Sequence, residues 1–267
     1  MSTQDQRVVE EFSRQATTMS QAAIFNDETI LNRIRDFACG TNASGVPGVP
    51  NVHILDILDV ACGPGIVVAH LAPHCREITG CDITPAMLDK ARERCAAKGI
   101  TNAHFMPGRV EALPFDDASF DVVVSRSAVH HFADAPAAFR EMARVTRQGG
   151  RIITVDVAAS ETEADARLHN ALEILRDPTH VRMLSKSELH RAITQAGLAI
   201  EDAVTWANHR EFDEWMKIID APERIGPLKV VMTALAEAGV GAGLGLRLEQ
   251  GKLRFEHQPA LTVAVRR

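Results

Sequence analysis

Gly63 and Gly65 directly follow the apolar run Leu55 to Ala61, and Asp82 closes the next run, Glu77 to Cys81. Two residues without a Cβ let a turn take positive φ and let a ligand lie against the peptide plane. Pro64 between them stiffens the turn. A helix predicted to begin near Ile66 would point its unpaired N–H groups and positive dipole end at the same place. A carboxylate ending the second strand of an open parallel sheet accepts hydrogen bonds from both ribose hydroxyls of a nucleotide. These residue types in this order support the holding of a nucleotide-like cofactor. The dinucleotide fingerprint G-x-G-x-x-G needs a third glycine for close helix packing, and the chain has Val68 there. A nicotinamide oxidoreductase is therefore a poorer fit, kept as a rival. A non-catalytic cofactor-binding protein is the second rival.

The elements that must position these residues are legible as an alternation. Short apolar runs predict strands over 54–61, 77–82, 103–106, 120–125 and 150–157, with helices over 65–72, 85–98 and 135–146 between them. A helix near 186–196 and strands near 198–206, 245–256 and 260–265 follow. Such alternation predicts an α/β fold with a doubly wound, mostly parallel sheet. Residues 5–38 carry apolar stripes at helical spacing (Val8, Phe12, Ala16, then Ile24, Ile30, Ile34, Phe37) and predict two helices ahead of the core. Gly40 to Asn51 reads as a glycine- and proline-punctuated linker. The expected organisation is N-terminal helices and linker over 1–50, a binding core over 51–206 carrying an insertion at 158–184, a cap insertion over 207–244, and terminal strands of the core sheet over 245–267. Insertions toward the C-terminal edge of such a sheet lie where ligands bind.

Composition narrows the function classes. The 267 residues are 46% hydrophobic and 24% charged, as in a globular protein, and no apolar run approaches a membrane span. With a polar start to the chain, the expectation is a cytoplasmic protein with no membrane partner. The net charge of −6 and the absence of a basic block argue against nucleic acid. Five cysteines without a C-x-x-C pair predict free thiols. The 11 histidines show neither H-E-x-x-H nor another compact ligand spacing, so no metal is expected.

Five blocks in order sharpen the cofactor: D-V-A-C-G-P-G at 59–65, G-C-D-I-T-P-A-M-L at 80–88, L-P-F-D-D-A-S-F-D at 113–121, S-R-S-A-V-H-H-F at 125–132 and R-Q-G-G-R at 147–151. Through them the chain resembles the class I S-adenosylmethionine-dependent methyltransferases of the ubiquinone/menaquinone-type small-molecule group. The resemblance covers roughly residues 55–156. It implies a Rossmann-like seven-stranded sheet whose last strand is antiparallel, S-adenosyl-L-methionine as cofactor, S-adenosyl-L-homocysteine as product, and a small-molecule methyl acceptor. Monomer and homodimer both stay open.

The resemblance also implies site residues. Ala61, Gly63 and Gly65 would face the cofactor and Asp82 its ribose. Asp59 would contact the amino-acid portion or hold the turn. Ile83 and Met87 would flank the adenine, with helix packing the other reading of Met87. Relatives commonly carry Asp at the position of Arg109, where it accepts from the adenine amino group. Arginine cannot accept, so adenine recognition falls to the backbone of Val110 and to Glu111, or to stacking by Arg109. Ser125 and His130 would line the passage from cofactor to acceptor. Where the acceptor is protonated a neutral-range base helps, and His131 and His180 are the expected catalytic residues. Arg182 is a second substrate-side residue. Without any Tyr, the aromatic walls are expected from Phe12, Phe25, Phe132, Trp206 and Trp215.

Overall fold

The computed structural model describes residues 2–39, 55–219 and 221–267; the predicted linker and the first residue of the predicted 54–61 strand lie outside them. Helix α1 (Thr3–Gln21) starts on a reciprocal Ser2/Asp5 capping box, and α2 (Glu28–Ala38) starts on the side chain of Asp27. The predicted alternation follows: β1 (Asp56–Val60), α3 (Ile66–Leu71), β2 (Glu77–Asp82), α4 (Pro85–Ala97), β3 (Ala103–Pro107), β4 (Phe120–Arg126), α5 (Ala135–Val145) and β5 (Thr146–Ala158). The remainder is α6 (Glu163–Arg176), α7 (Lys186–Gln195), β6 (Leu198–Thr205), β7 (Asn208–Glu211), α8 (Phe212–Met216), α9 (Pro222–Glu237), β8 (Arg247–Glu249) and β9 (Lys252–Arg266).

The sheet order is β3-β2-β1-β4-β5-β9-β6, parallel from β3 to β5, with β9 antiparallel to both neighbours. This is the α/β, mostly parallel, Rossmann-like sheet the sequence predicts. Strand β1 is buried on both faces, as its continuous apolar run requires. Ile57 points into one core with Ile34, Val68 and Ile78; the next residue, Leu58, points into the other with Val123, Phe139 and Met142. Full burial of each such side chain stabilises the fold by roughly 1.5–3 kcal/mol.

One departure matters for the site. The sequence suggests separate strands over 245–256 and 260–265, but β9 runs unbroken through Pro259. Its first half pairs with β7 and β8, and its second half lies between β5 and β6. One strand therefore ties the core sheet to a third cluster of Phe212, Trp215, Met216, Leu228, Met232 and Phe255. No described helix is long and apolar enough to cross a membrane.

Candidate functional site

At the C-terminal ends of β1, β2 and β4 lies an open cavity, mostly walled by apolar groups. The β1 turn contributes Asp59, Ala61, Cys62 and Gly63; the β2 end contributes Asp82, Ile83 and Met87; Arg109, Val110 and Glu111 follow β3. Helix α1 closes one side with Val8 and Phe12. Of the residues expected at the cofactor, Gly65, Ser125 and His130 do not line this cavity. Gly65 sits in the left-handed region, φ 71°, and a Cβ there would lie 2.7 Å from the Ala91 Cβ. It is the glycine that lets α3 start against α4. Ser125 is fully buried and its hydroxyl has no partner. His130 opens onto a second cavity.

Two buried carboxylates meet in the first cavity with different partners. Asp82 Oδ2 accepts from the Gly63 N–H at 2.9 Å and Oδ1 from the Thr84 N–H at 2.8 Å. It thus holds the glycine turn while each oxygen keeps a lone pair for a ligand. Burial raises its pKa and these backbone bonds oppose the rise. Asp59 has an oxygen, Oδ2, that is buried without a partner. Burial, then the neighbouring charge of Asp82, pushes its pKa well up, against the attraction of Arg126. An orphaned carboxylate oxygen in a cavity wall requires a cationic or N–H donor. The amino group of the expected cofactor fits that requirement. The Cys62 thiol is held protonated by burial beside both carboxylates, which suits a small wall residue and not a nucleophile.

Arg109 does not lie free to stack on a ring. Its guanidinium pairs with Asp5 of α1 at 3.0 Å and with Glu111 at 3.5 Å. Glu111 also accepts from the Ala133 N–H at 3.2 Å. The position that departs from the family pattern thus fastens α1 over the cavity mouth. Phe12, Phe25 and Phe132 stand in the wall as expected. Trp206 does not: it packs on the core with Arg33 over its ring at 5.1 Å.

The second cavity is bounded by β5, α6, β7, α8 and β9, and it shares Phe12, Met19, Phe25, Arg126, Ser127 and His131 with the first. His130, His131 and His180 meet at its edge with ring centres 4.2–4.7 Å apart. His130 Nδ1 lies 2.6 Å from Asp156 Oδ1, and His131 Nδ1 lies 3.1 Å from the Thr179 hydroxyl, which itself donates to Asp177. Burial opposes charge on His130, but the Asp156 carboxylate overcomes it and raises the pKa. His131 is lowered to about 4 by burial and by His130, and His180 well below the usual range by burial and both neighbours. Trp215 and Arg176 also line this cavity, the guanidinium stacked 4.6 Å over the indole. Arg182 lies outside it, paired with Glu188.

Sequence reasoning left Arg126, Asp156, Glu173, Arg210 and His257 without a site role, yet all line the second cavity. Arg126 donates to the carbonyls of Phe25 and Ile24, and burial lowers its pKa to about 10. Asp156 had a usable signal: it is an acid near the end of a predicted strand, like Asp82. Arg210 and His257 had none, because their approach depends on β9 pairing with β7.

Known proteins resemble this chain in sequence and in fold. A family described as "Methyltransferase domain" matches residues 58–154. The uncharacterized methyltransferase YcgJ of Bacillus subtilis is 38% identical over 161 residues, 60% of this chain and 64% of that protein. The matched segment thus falls short of two thirds of YcgJ's length. The uncharacterized protein YafE of Escherichia coli is 32% identical over 154 residues, 58% of this chain and 74% of that protein. The crystal structure of YcgJ superposes with a TM-score of 0.79 at 30% identity, covering 90% of this chain and 99% of that one.

Proposed function

Because the chain belongs to the class I S-adenosylmethionine-dependent methyltransferases of the ubiquinone/menaquinone-type group, we propose that it methylates a small molecule seated in the second cavity. The observation that carries this reading is the wall of Phe12, Met19, Phe25, Arg126, Ser127 and His131 common to both cavities, which supports a donor in the first next to an acceptor in the second. Asp82 accepts from the ribose hydroxyls, Asp59 takes the amino group, Gly63 lets the backbone approach, and Ile83 and Met87 flank the adenine. When bound, S-adenosylmethionine supplies a methyl group already activated on a sulfonium, so the protein needs alignment and exclusion of water rather than a covalent intermediate. Phe12 and Phe25 exclude water at the junction.

For a protonated acceptor, the base role passes from His131 and His180 to His130. Burial keeps the first two neutral but weakly basic, whereas Asp156 fixes the Nδ1 proton of His130 and strengthens Nε2 as a proton acceptor. His131 and His180 then orient the acceptor.

Calorimetric titration tests the cofactor assignment. S-adenosylhomocysteine is expected to bind, and Asp82→Ala to weaken it at least about tenfold, or ~1.4 kcal/mol. Binding of NAD in its place would return the oxidoreductase reading. Incubation with methyl-labelled S-adenosylmethionine and a panel of phenols, alcohols and carbon acids tests turnover; tight binding without label transfer to any acceptor class favours the non-catalytic rival.

A further inference from the structure

The roles assigned above leave unused a buried cluster on the floor of the second cavity. His169 and Glu173 stand one helical turn apart on α6, so their side chains share a face, and His257 reaches them from β9. They are 1%, 1% and 4% exposed. Glu173 Oε1 lies 3.1 Å from His257 Nε2 and 3.6 Å from His169 Nε2. The approach of both imidazoles favours the charged carboxylate of Glu173, but neither contact has the distance and angle of a well-formed hydrogen bond, and both oxygens of Glu173, both ring nitrogens of His169 and Nε2 of His257 are buried without one. Native proteins rarely leave one such atom unsatisfied, and here five lie on three neighbouring residues, each of which offers one donor atom to a common place.

Two of the three spacings, those from Glu173 to each imidazole, suit coordination as they stand. Metal–ligand distances of about 2.0–2.2 Å at near-tetrahedral angles place donor atoms roughly 3.3–3.6 Å apart. One donor atom from each of the three residues lies within 4.8 Å of the others. Arg176 approaches the other carboxylate oxygen, Oε2, at 3.6 Å, which leaves Oε1 for an ion. His130, His131 and His180 fall within the same limit, but two of those rings already have protein partners, Asp156 and Thr179. The orphaned set is the deeper one.

We propose that His169, Glu173 and His257 bind one first-row divalent cation, zinc foremost, with a coordination position open to the second cavity. Two imidazoles and a carboxylate are a ligand set that zinc accepts, with water or substrate in a fourth position. Glu173 and His257 line the cavity, so that position faces the space assigned to the acceptor. The site goes beyond the methyl-transfer reading and does not depend on it.

The test uses the full chain without an affinity tag, stripped with chelator and titrated with zinc and with cobalt(II). Stoichiometric zinc by elemental analysis and visible cobalt d–d bands at one equivalent are expected. His169→Gln and His257→Gln should each weaken zinc at least about 100-fold while circular dichroism stays native. Should either variant fail to fold, Glu173→Gln takes its place. Absence of stoichiometric zinc and of cobalt bands in the native chain overturns the site, even where S-adenosylhomocysteine binds normally. Binding that survives in every folded variant overturns it too, by placing the ion elsewhere. Loss of the bands in the variants supports the site whether or not S-adenosylhomocysteine binds.

Discussion

Asp59, Asp82 and Asp156 are all buried at strand ends, and what differs among them is the partner each finds. Asp82 finds two backbone N–H groups, Asp156 finds an imidazole, and one oxygen of Asp59 finds nothing within the protein. The His130–Asp156 pair carries a residue-level prediction. Burial alone would depress His130, and the carboxylate reverses that. In Asp156→Asn the reversal is lost, so the pKa of His130 should drop from above 6.5 to below it, read from imidazole proton shifts across a pH titration and assigned with His130→Gln. A titration curve unmoved by Asp156→Asn would show that another group sets the pKa, and would remove the argument for His130 as base.

Helix α1 is held to the core at defined points. Asp5 serves both its capping box, through the Ser2 N–H at 2.7 Å, and the ion pair to Arg109. Gln4 donates to the Thr179 carbonyl at 2.7 Å, and Arg94 of α4 reaches the Ser20 carbonyl at 2.6 Å near the helix end. Since Arg109 is partly exposed, its pair is worth only about 0.5–1 kcal/mol. Arg109→Ala is therefore expected to speed amide hydrogen exchange in α1 by about two- to fivefold, with a comparable loss in S-adenosylhomocysteine affinity. A large affinity loss with α1 exchange unchanged would instead mean that Arg109 touches the cofactor directly.

Across the whole molecule, buried histidines link acidity to stability. His131 titrates near 4 in the folded chain against 6.5 for an ordinary histidine, because burial and His130 oppose its charge more than Asp177 favours it. As pH falls below 6.5 the unfolded chain takes up this proton while the folded chain does not, so stability declines between pH 6.5 and 4. Carboxylates with lowered pKa values, such as Asp56 between Arg76 and Arg147, lose their contribution only at lower pH. Thermal unfolding should accordingly show a falling midpoint across pH 6.5 to 4, with a shallower slope in His131→Gln. An identical slope in the variant would remove His131 from the linkage.

Much of the lining of the first cavity was legible because it is contiguous in the chain. Strand, glycine turn, helix and second strand with Asp82 at its end are local elements, encoded by short-range periodicity and by the φ values that only certain residues tolerate. The resemblance in blocks added Ile83, Met87 and the 109–111 segment, and these do meet around one cavity. Gly65 packs against Ala91 of α4, a role the sequence did not suggest, because a glycine that admits a ligand and one that admits a helix look identical in sequence. The lining of the second cavity was not legible. Asp156, Glu173, Arg210 and His257 come from β5, α6, β7 and β9, and they converge only because β9 inserts antiparallel beside β5 and continues out to pair with β7. Sequence by itself determined the elements, their order and the nucleotide turn. Only the tertiary structure decided which histidines and acids share a cavity, because long-range strand pairing leaves no periodic mark on the residues it brings together.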